Sequence, residues 1–290
     1  MSNFYLGNYA EAEPLLRESL QIRMTRLGPG NTETITALSN LANVVDLQGK
    51  FAEAEPLYRR VVEQQRIASG KDDRLVAGAI ANLATFLYKH NHPDEAMALH
   101  AQALQIRRAV LPAGHPDIAH SLNSLGYMQS IAGKQQEAEA AHREALVIRR
   151  KVFPEGHPDI AIGLDNLAVT LFREDRLAEA EPLAQEAVDI RRKALGDNHP
   201  SLATSLVTLA TIHRAQGKLN ESESGFREAL GILQAKLGPK AAPTTQTAGK
   251  LADLLDQATR PADAADVRKQ FELDKASSNP ATQPTSNPSR

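Results

Sequence analysis

Three histidines, His115, His157 and His199, stand 42 residues apart, and each is followed by a proline. Neutral imidazoles are zinc ligands, so a regular histidine column raises metal chemistry first. His90 and His92 could also share a surface ion, but no third ligand is visible beside them. Glutamates flank an alanine at Glu53 and Glu55, and this E-A-E motif recurs along the chain. Paired carboxylates are the raw material of general acid and base catalysis. Ile-Arg-Arg recurs at Ile106–Arg108, Ile148–Arg150 and Ile190–Arg192, a pattern that could offer cations to an acidic partner. Asn40, Asn82 and Asn166 share one register, in which Ser124 and Thr208 also fall. A primary amide both donates and accepts, which suits it to gripping a peptide backbone. Cysteine is absent, so disulfides, thiolate catalysis and Cys-ligated zinc are excluded. No Gly-rich phosphate loop, nucleophile elbow or His-Glu-x-x-His pattern occurs. The chain is therefore expected not to be an enzyme and to carry no cofactor or metal.

The spacing of these residues belongs to the whole chain. Steps of 42 residues start periods at Asn31, Asp73, His115, His157, His199 and Ala241. One column then holds Leu41, Leu83, Leu125, Leu167, Leu209 and Leu251, and the next holds Ala42, Ala84, Gly126, Ala168, Ala210 and Ala252. A third holds Ala12, Ala54, Ala96, Ala138, Ala180, Ser222 and Ala264. Within each period the signals read helix, short turn, helix. The starting residue occupies an N-cap position, and Pro116, Pro158 and Pro200 follow where a missing N–H costs nothing. Apolar residues recur at helical spacing, as in Ile118, Leu122, Leu125 and Met128. Gly49, Asn91, Gly133, Asp175 and Gly217 break the pattern before a second helix that carries the E-A-E motif. Small residues facing small residues let two helices approach, while the leucine columns fill the space toward neighbouring repeats.

These residues resemble the tetratricopeptide repeat: a Leu-small pair in the first helix and an Ala in the second. Its usual period is about 34 residues. The segments GKFAEAEPLYRRVV, AEAEPLAQEAVDIRRKALGDNHP and SNLANVVDLQGK are similar to the 42-residue variety of kinesin light chains and many bacterial repeat proteins. The resemblance implies an all-α fold, a right-handed solenoid of helical hairpins. The solenoid is expected over residues 1–273, with a partial repeat at 1–30 and repeats at 31–72, 73–114, 115–156, 157–198 and 199–240. A degenerate repeat follows at 241–273, and the Ser/Pro/Asn/Thr-rich segment 274–290 is expected to be a disordered tail. No coiled-coil heptads precede the repeats, so a motor light chain is not expected.

Stacking also answers the metal question. Residues of one column lie two helix spacings apart, well over 10 Å at about 8–10 Å per spacing, so one zinc ion cannot bridge the three histidines. They are expected to be capping residues, and His100 and His142, which share a column with Tyr58 and Phe226, to be packing residues. The E-A-E glutamates are expected to mark solvated helix starts, and the Ile-Arg-Arg cations to complement the negative end of the helix dipole. The amide column remains. In tetratricopeptide folds the first helices line the concave surface, so the resemblance implies a peptide-binding groove built from Asn40, Asn43, Asn82, Thr85, Asn123, Tyr127, Asp165 and Asn166.

A net charge of −2 supplies no field for nucleic acid or anionic lipid. The first residues carry no secretion signal and no stretch is long and apolar enough to span a membrane, so a cytoplasmic location is expected. The leading functional expectation is a protein-interaction scaffold that binds a peptide or helix of a partner in the concave groove. The alternatives are a self-assembling module, associating through the apolar Leu15, Leu16 and Leu20 of the truncated first repeat, or a regulatory arm of a larger signalling protein.

Overall fold

The computed structural model describes residues 9–273. The expected tail at 274–290 and the first eight residues of the partial repeat lie outside the described residues.

Helices begin where the caps place them. Asn31 Oδ1 accepts the Glu33 N–H at 2.9 Å, and Asp73 Oδ1 accepts that of Val76 at 2.9 Å. The histidine column caps in the same way: Nδ1 of His115, His157 and His199 accepts the N–H two residues on, each at 3.1 Å. Between the two helices of a repeat the backbone turns through the left-handed region, with φ of 76° at Gly49, 66° at Asn91, 60° at Asp175 and 76° at Gly217. Asn and Asp tolerate that conformation better than other residues with a Cβ, which explains why they alternate with glycine here.

Among the described residues the chain forms thirteen α-helices and no strand. In order they are α1 (Tyr9–Leu27), α2 (Thr32–Leu47), α3 (Phe51–Ser69), α4 (Arg74–Lys89), α5 (Pro93–Val110), α6 (Pro116–Ile131) and α7 (Gln135–Val152). Then come α8 (Pro158–Arg173), α9 (Leu177–Leu195), α10 (Pro200–Ala215), α11 (Leu219–Leu237), α12 (Ala242–Gln257) and α13 (Pro261–Gln270). Even-numbered helices are the first helices of the 42-residue period, and odd-numbered ones the second. The expected all-α hairpin repeat is therefore present, with its helices inside the spans 31–69, 73–111, 115–153, 157–195 and 199–237.

The helices group into two compact units, one ending at Ala132 and one beginning at Gly133. In the first, α1 to α6 pack each on its sequence neighbours, and in the second α7 to α13 do the same. The small columns are what bring the helices together. Ala42, Ala54, Ala84, Ala96, Ala168 and Ala180 are fully buried. In the second unit Ser222 of α11 donates to the Ala210 carbonyl of α10 at 2.7 Å, and a Cβ on Gly225 would stand 3.0 Å from the Ala210 Cβ. Leu38, Ile80, Leu122, Leu164 and Leu206 fill the cores, each contributing about 1.5–3 kcal/mol by burial. In the other leucine column Leu41, Leu83, Leu167, Leu209 and Leu251 are buried, but Leu125 is only half-buried, contrary to its register.

Candidate functional site

Two faces could meet a partner, and side-chain pairing separates them. On the second helices the E-A-E motif zips one repeat to the next. Its second glutamate takes a cation from the start of the next second helix: Lys50 reaches Glu13 at 2.6 Å, Lys218 reaches Glu181 at 2.7 Å and Arg260 reaches Glu223 at 2.7 Å. Its first glutamate is met by an arginine 36 residues earlier, as in Arg17–Glu53 at 3.0 Å and Arg59–Glu95 at 2.9 Å. The Lys50 ammonium, helped by Arg17, draws the Glu13 carboxyl down to about 2, and Lys218 with Gln216 draws Glu181 down to about 2. These glutamates are therefore cross-links between repeats as well as helix starts.

The Ile-Arg-Arg cations lie in the last turn of their helices, as expected, and they also make contacts between repeats. The first arginine is buried and points forward into the next repeat. Arg107 Nη1 donates to Ser121 Oγ at 2.5 Å and to the Asp117 carbonyl at 3.3 Å. Arg191 Nη1 donates to Ser205 Oγ at 2.6 Å and to the Ser201 carbonyl at 2.7 Å. Arg149 packs at Gly163, the equivalent position, where a Cβ would stand 3.5 Å from its Nη1. The second arginine bridges second helices, with Arg150 forking both oxygens of Glu186 at 2.8 and 2.7 Å. Neither arginine forms a free basic stripe. The signal that could have revealed this is a hydroxyl or glycine column 14 residues after the arginine column.

The first-helix face is different in kind. In the first unit Asn40 and Asn43 of α2 and Asn82 and Thr85 of α4 are exposed. Asn43 Oδ1 accepts the Tyr58 hydroxyl at 2.6 Å, which holds its amide in place from behind. Thr85 donates back to the Ala81 carbonyl at 2.9 Å, leaving its methyl and lone pairs outward. Tyr127 of α6 is 49% exposed and meets Tyr88 of α4 edge-on, with ring centroids 5.7 Å apart. Below this surface His90 contacts Asp46 at 2.8 Å and packs on Phe51 and Phe86 at 3.8 and 4.5 Å. His90 is thus a structural tie and not one half of a surface ion site with His92. Among the described residues no group of three or more His, Asp or Glu side chains is placed to hold a metal ion. No described helix is long and apolar enough to cross a membrane.

Two expected groove residues do not present accessible side chains. Asn123 is 8% exposed and Asp165 is 6% exposed. Both sit one position before the amide column, and one residue turns about 100° around a helix, enough to carry them inward. Asp165 Oδ2 pairs with Arg191 at 2.6 Å and accepts the Ser205 hydroxyl at 2.9 Å. Burial pushes its carboxyl up to about 6, against the pull of Arg191. Asn166 is half-buried in the second unit, where Ile162, Val169 and Arg173 of the same helix are exposed. The expected packing histidines are buried, and His142 Nδ1 contacts Thr170 Oγ1 at 2.9 Å.

Two models described as tetratricopeptide repeat match the chain, one over residues 1–67 and 159–235 and the other over 76–117 and 118–159. No curated protein matches it by sequence. Among solved structures it is similar to BtubC (BKLC) from P. vanneervenii, at 23% identity and a TM-score of 0.67, over 79% of this chain and 91% of that one. A putative kinesin light chain of Podosopora anserina with nearly identical TPR-like repeats matches at 23% identity and 0.62, over 72% of this chain and 97% of that one. A chain of the APC/C hetero-tetramer Cut9-Hcn1 matches at 13% identity and 0.63, over 93% of this chain and 44% of that one. At these identities the likeness is one of fold. With the repeat models covering most of its length, the chain belongs to the tetratricopeptide-repeat family, whose repeats generally mediate protein–protein interaction.

Proposed function

We propose that this protein is an interaction scaffold that receives a peptide or helix of a partner on its first-helix face. The observation that carries the reading is the contrast between faces. The second helices carry a recurring set of ion pairs between repeats, whereas Asn40, Asn43, Asn82, Thr85 and Tyr127 display uncharged polar and aromatic groups to solvent. Amides in register can donate to and accept from an extended backbone without selecting one side-chain sequence.

The test is affinity capture with the wild-type chain and with an Asn40→Ala/Asn82→Ala variant, followed by measured binding of the captured protein. Each net hydrogen bond is worth about 0.5–1.5 kcal/mol, so the variant is expected to bind about 1–3 kcal/mol more weakly. Its unfolding free energy is expected to change by less than about 0.5 kcal/mol, because both side chains are exposed and no core is removed. Unchanged binding by the variant overturns the reading.

A second reading, self-association, has its own support. Leu15 and Ile22 of α1 are 60% and 46% exposed, whereas Ile106, Ile148 and Ile232, in the register of Ile22, are buried. A concentration-dependent mass in light scattering, abolished by Leu15→Glu, would establish it.

A further inference from the structure

Arg17 and Glu13 tie α1 to the start of α3, through Arg17–Glu53 at 3.0 Å and Lys50–Glu13 at 2.6 Å. With 3.6 residues per turn, Leu15, Ile22 and Arg26 project from the opposite side of α1, with Glu11 and Ser19 at the margins of the same stripe. Leu15 is exposed there, whereas Leu57, Leu99 and Leu183, in its register, are half-buried. Leu15, Glu18, Ser19 and Ile22, with Arg23 at the rim, line a shallow hollow. Residues at i, i+3, i+4 and i+7 are the four that make a hole for a knob from a facing helix. The exposed stripe is acidic at Glu11, apolar at Leu15 and Ile22, and basic at Arg26. A second α1 laid antiparallel about a two-fold axis near Ser19 sets Leu15 beside Ile22 of the second copy and Glu11 beside its Arg26. Parallel alignment would appose like charges at both ends. The last described helix offers no matching face. α13 buries Ala264, Val267 and Phe271, and none of its described residues is a large, exposed apolar side chain. A head-to-tail contact between copies therefore lacks an apolar counterpart on α13, whereas an isologous contact needs only α1 itself.

We propose that the outer face of α1 is an isologous docking surface, on which a second copy of this chain seats its own α1 antiparallel to give a closed dimer. This deepens the self-association reading and rests on it. The experiment is sedimentation equilibrium of the full chain across a wide range of concentration. The mass is expected to rise to that of a dimer and no further. Glu11→Arg and Arg26→Glu each convert both end contacts into like-charge pairs, and each is expected to weaken the dimer about tenfold. Mixed in equal amounts, the two variants regain opposite charges at both ends, so the mixed dimer is expected to lie within about threefold of wild-type affinity. A folding defect in either variant cannot produce that recovery. Glu18 flanks the stripe and meets Glu18 of the second copy near the axis, so Glu18→Gln is expected to tighten the dimer about twofold. A chain that stays monomeric at every concentration defeats self-association itself. A dimer whose charge variants do not recover on mixing, or a mass that climbs past the dimer, overturns the antiparallel interface alone.

Discussion

Arg107 and Arg191 hold the same place in the 42-residue register, one in each unit, and only Arg191 pairs with a buried carboxylate. Both donate through Nη1 to a serine hydroxyl and a backbone carbonyl of the following first helix. Arg191 also pairs with Asp165 at 2.6 Å. The position that supplies Asp165 in the second unit is Ala81 in the first, so Arg107 is buried without a side-chain anion at that point, and burial pushes its guanidinium down. The comparison separates two things that a buried ion pair usually blends. The arginine and its hydroxyl partner belong to the repeat, because they recur without the acid. The acid is an addition of one repeat, and once present it cannot do without its arginine.

The largest expected effect follows from that asymmetry. Arg191→Met leaves Asp165 buried and unpaired, a change that costs about 3–5 kcal/mol. Arg107→Met removes the donor from the Ser121 hydroxyl and the Asp117 carbonyl but strands no buried carboxylate, about 1–3 kcal/mol. Urea unfolding of the two variants tests this, and an Asp165→Ala/Arg191→Met double variant should recover most of the loss. Equal costs in the two units would show that the carboxylate is not what distinguishes them.

A smaller contrast between the two units lies in the apolar core. Leu167→Ala is expected to cost about 2–5 kcal/mol, as full burial leaves a cavity. Leu125→Ala, at the same register position but half-buried, should cost less than about 2 kcal/mol. Denaturation midpoints give the answer, and a larger loss at Leu125 would mean that α6 is better covered than its exposure indicates.

The smallest effect is a difference of sign with pH. Burial, with the nearby charges of His120 and Arg107, holds His100 of the first unit down to about 4, against an ordinary 6.5. The folded chain then binds fewer protons than the unfolded one, so the stability His100 contributes is present above pH 6.5 and lost as pH falls toward 4. Asp165 of the second unit is raised from 3.8 to about 6, so its contribution is full below 3.8 and lost as pH rises through 6. Glu13 and Glu181, held at about 2, give up their stabilisation only at lower pH, below about 4.5. Acidification from pH 6.5 to 4.5 should therefore weaken α5 relative to α8. Hydrogen exchange of the two helices, corrected for intrinsic rates, measures this directly, and parallel behaviour would contradict it.

The sequence by itself determined the register, the caps, the turn positions and the hairpin packing. Each depends on signals within a few residues of one another: a side chain that reaches the next turn's N–H, a residue that accepts positive φ, a small residue opposite a small residue. That locality is why His115, His157 and His199 could be read as caps and why the helix boundaries followed. The amide face was legible only in part. Asn40 and Asn82 emerge at the surface as their spacing implied, while Asn123 and Asp165, one position away, turn into the interface between helices. The forward reach of Arg107 and Arg191 and the glutamate cross-links were decided by tertiary structure alone. Whether a charge meets an anion, a hydroxyl or nothing depends on which side chain of a neighbouring helix faces it. A column shows only which residue types recur, so this information appears only when the repeats are stacked.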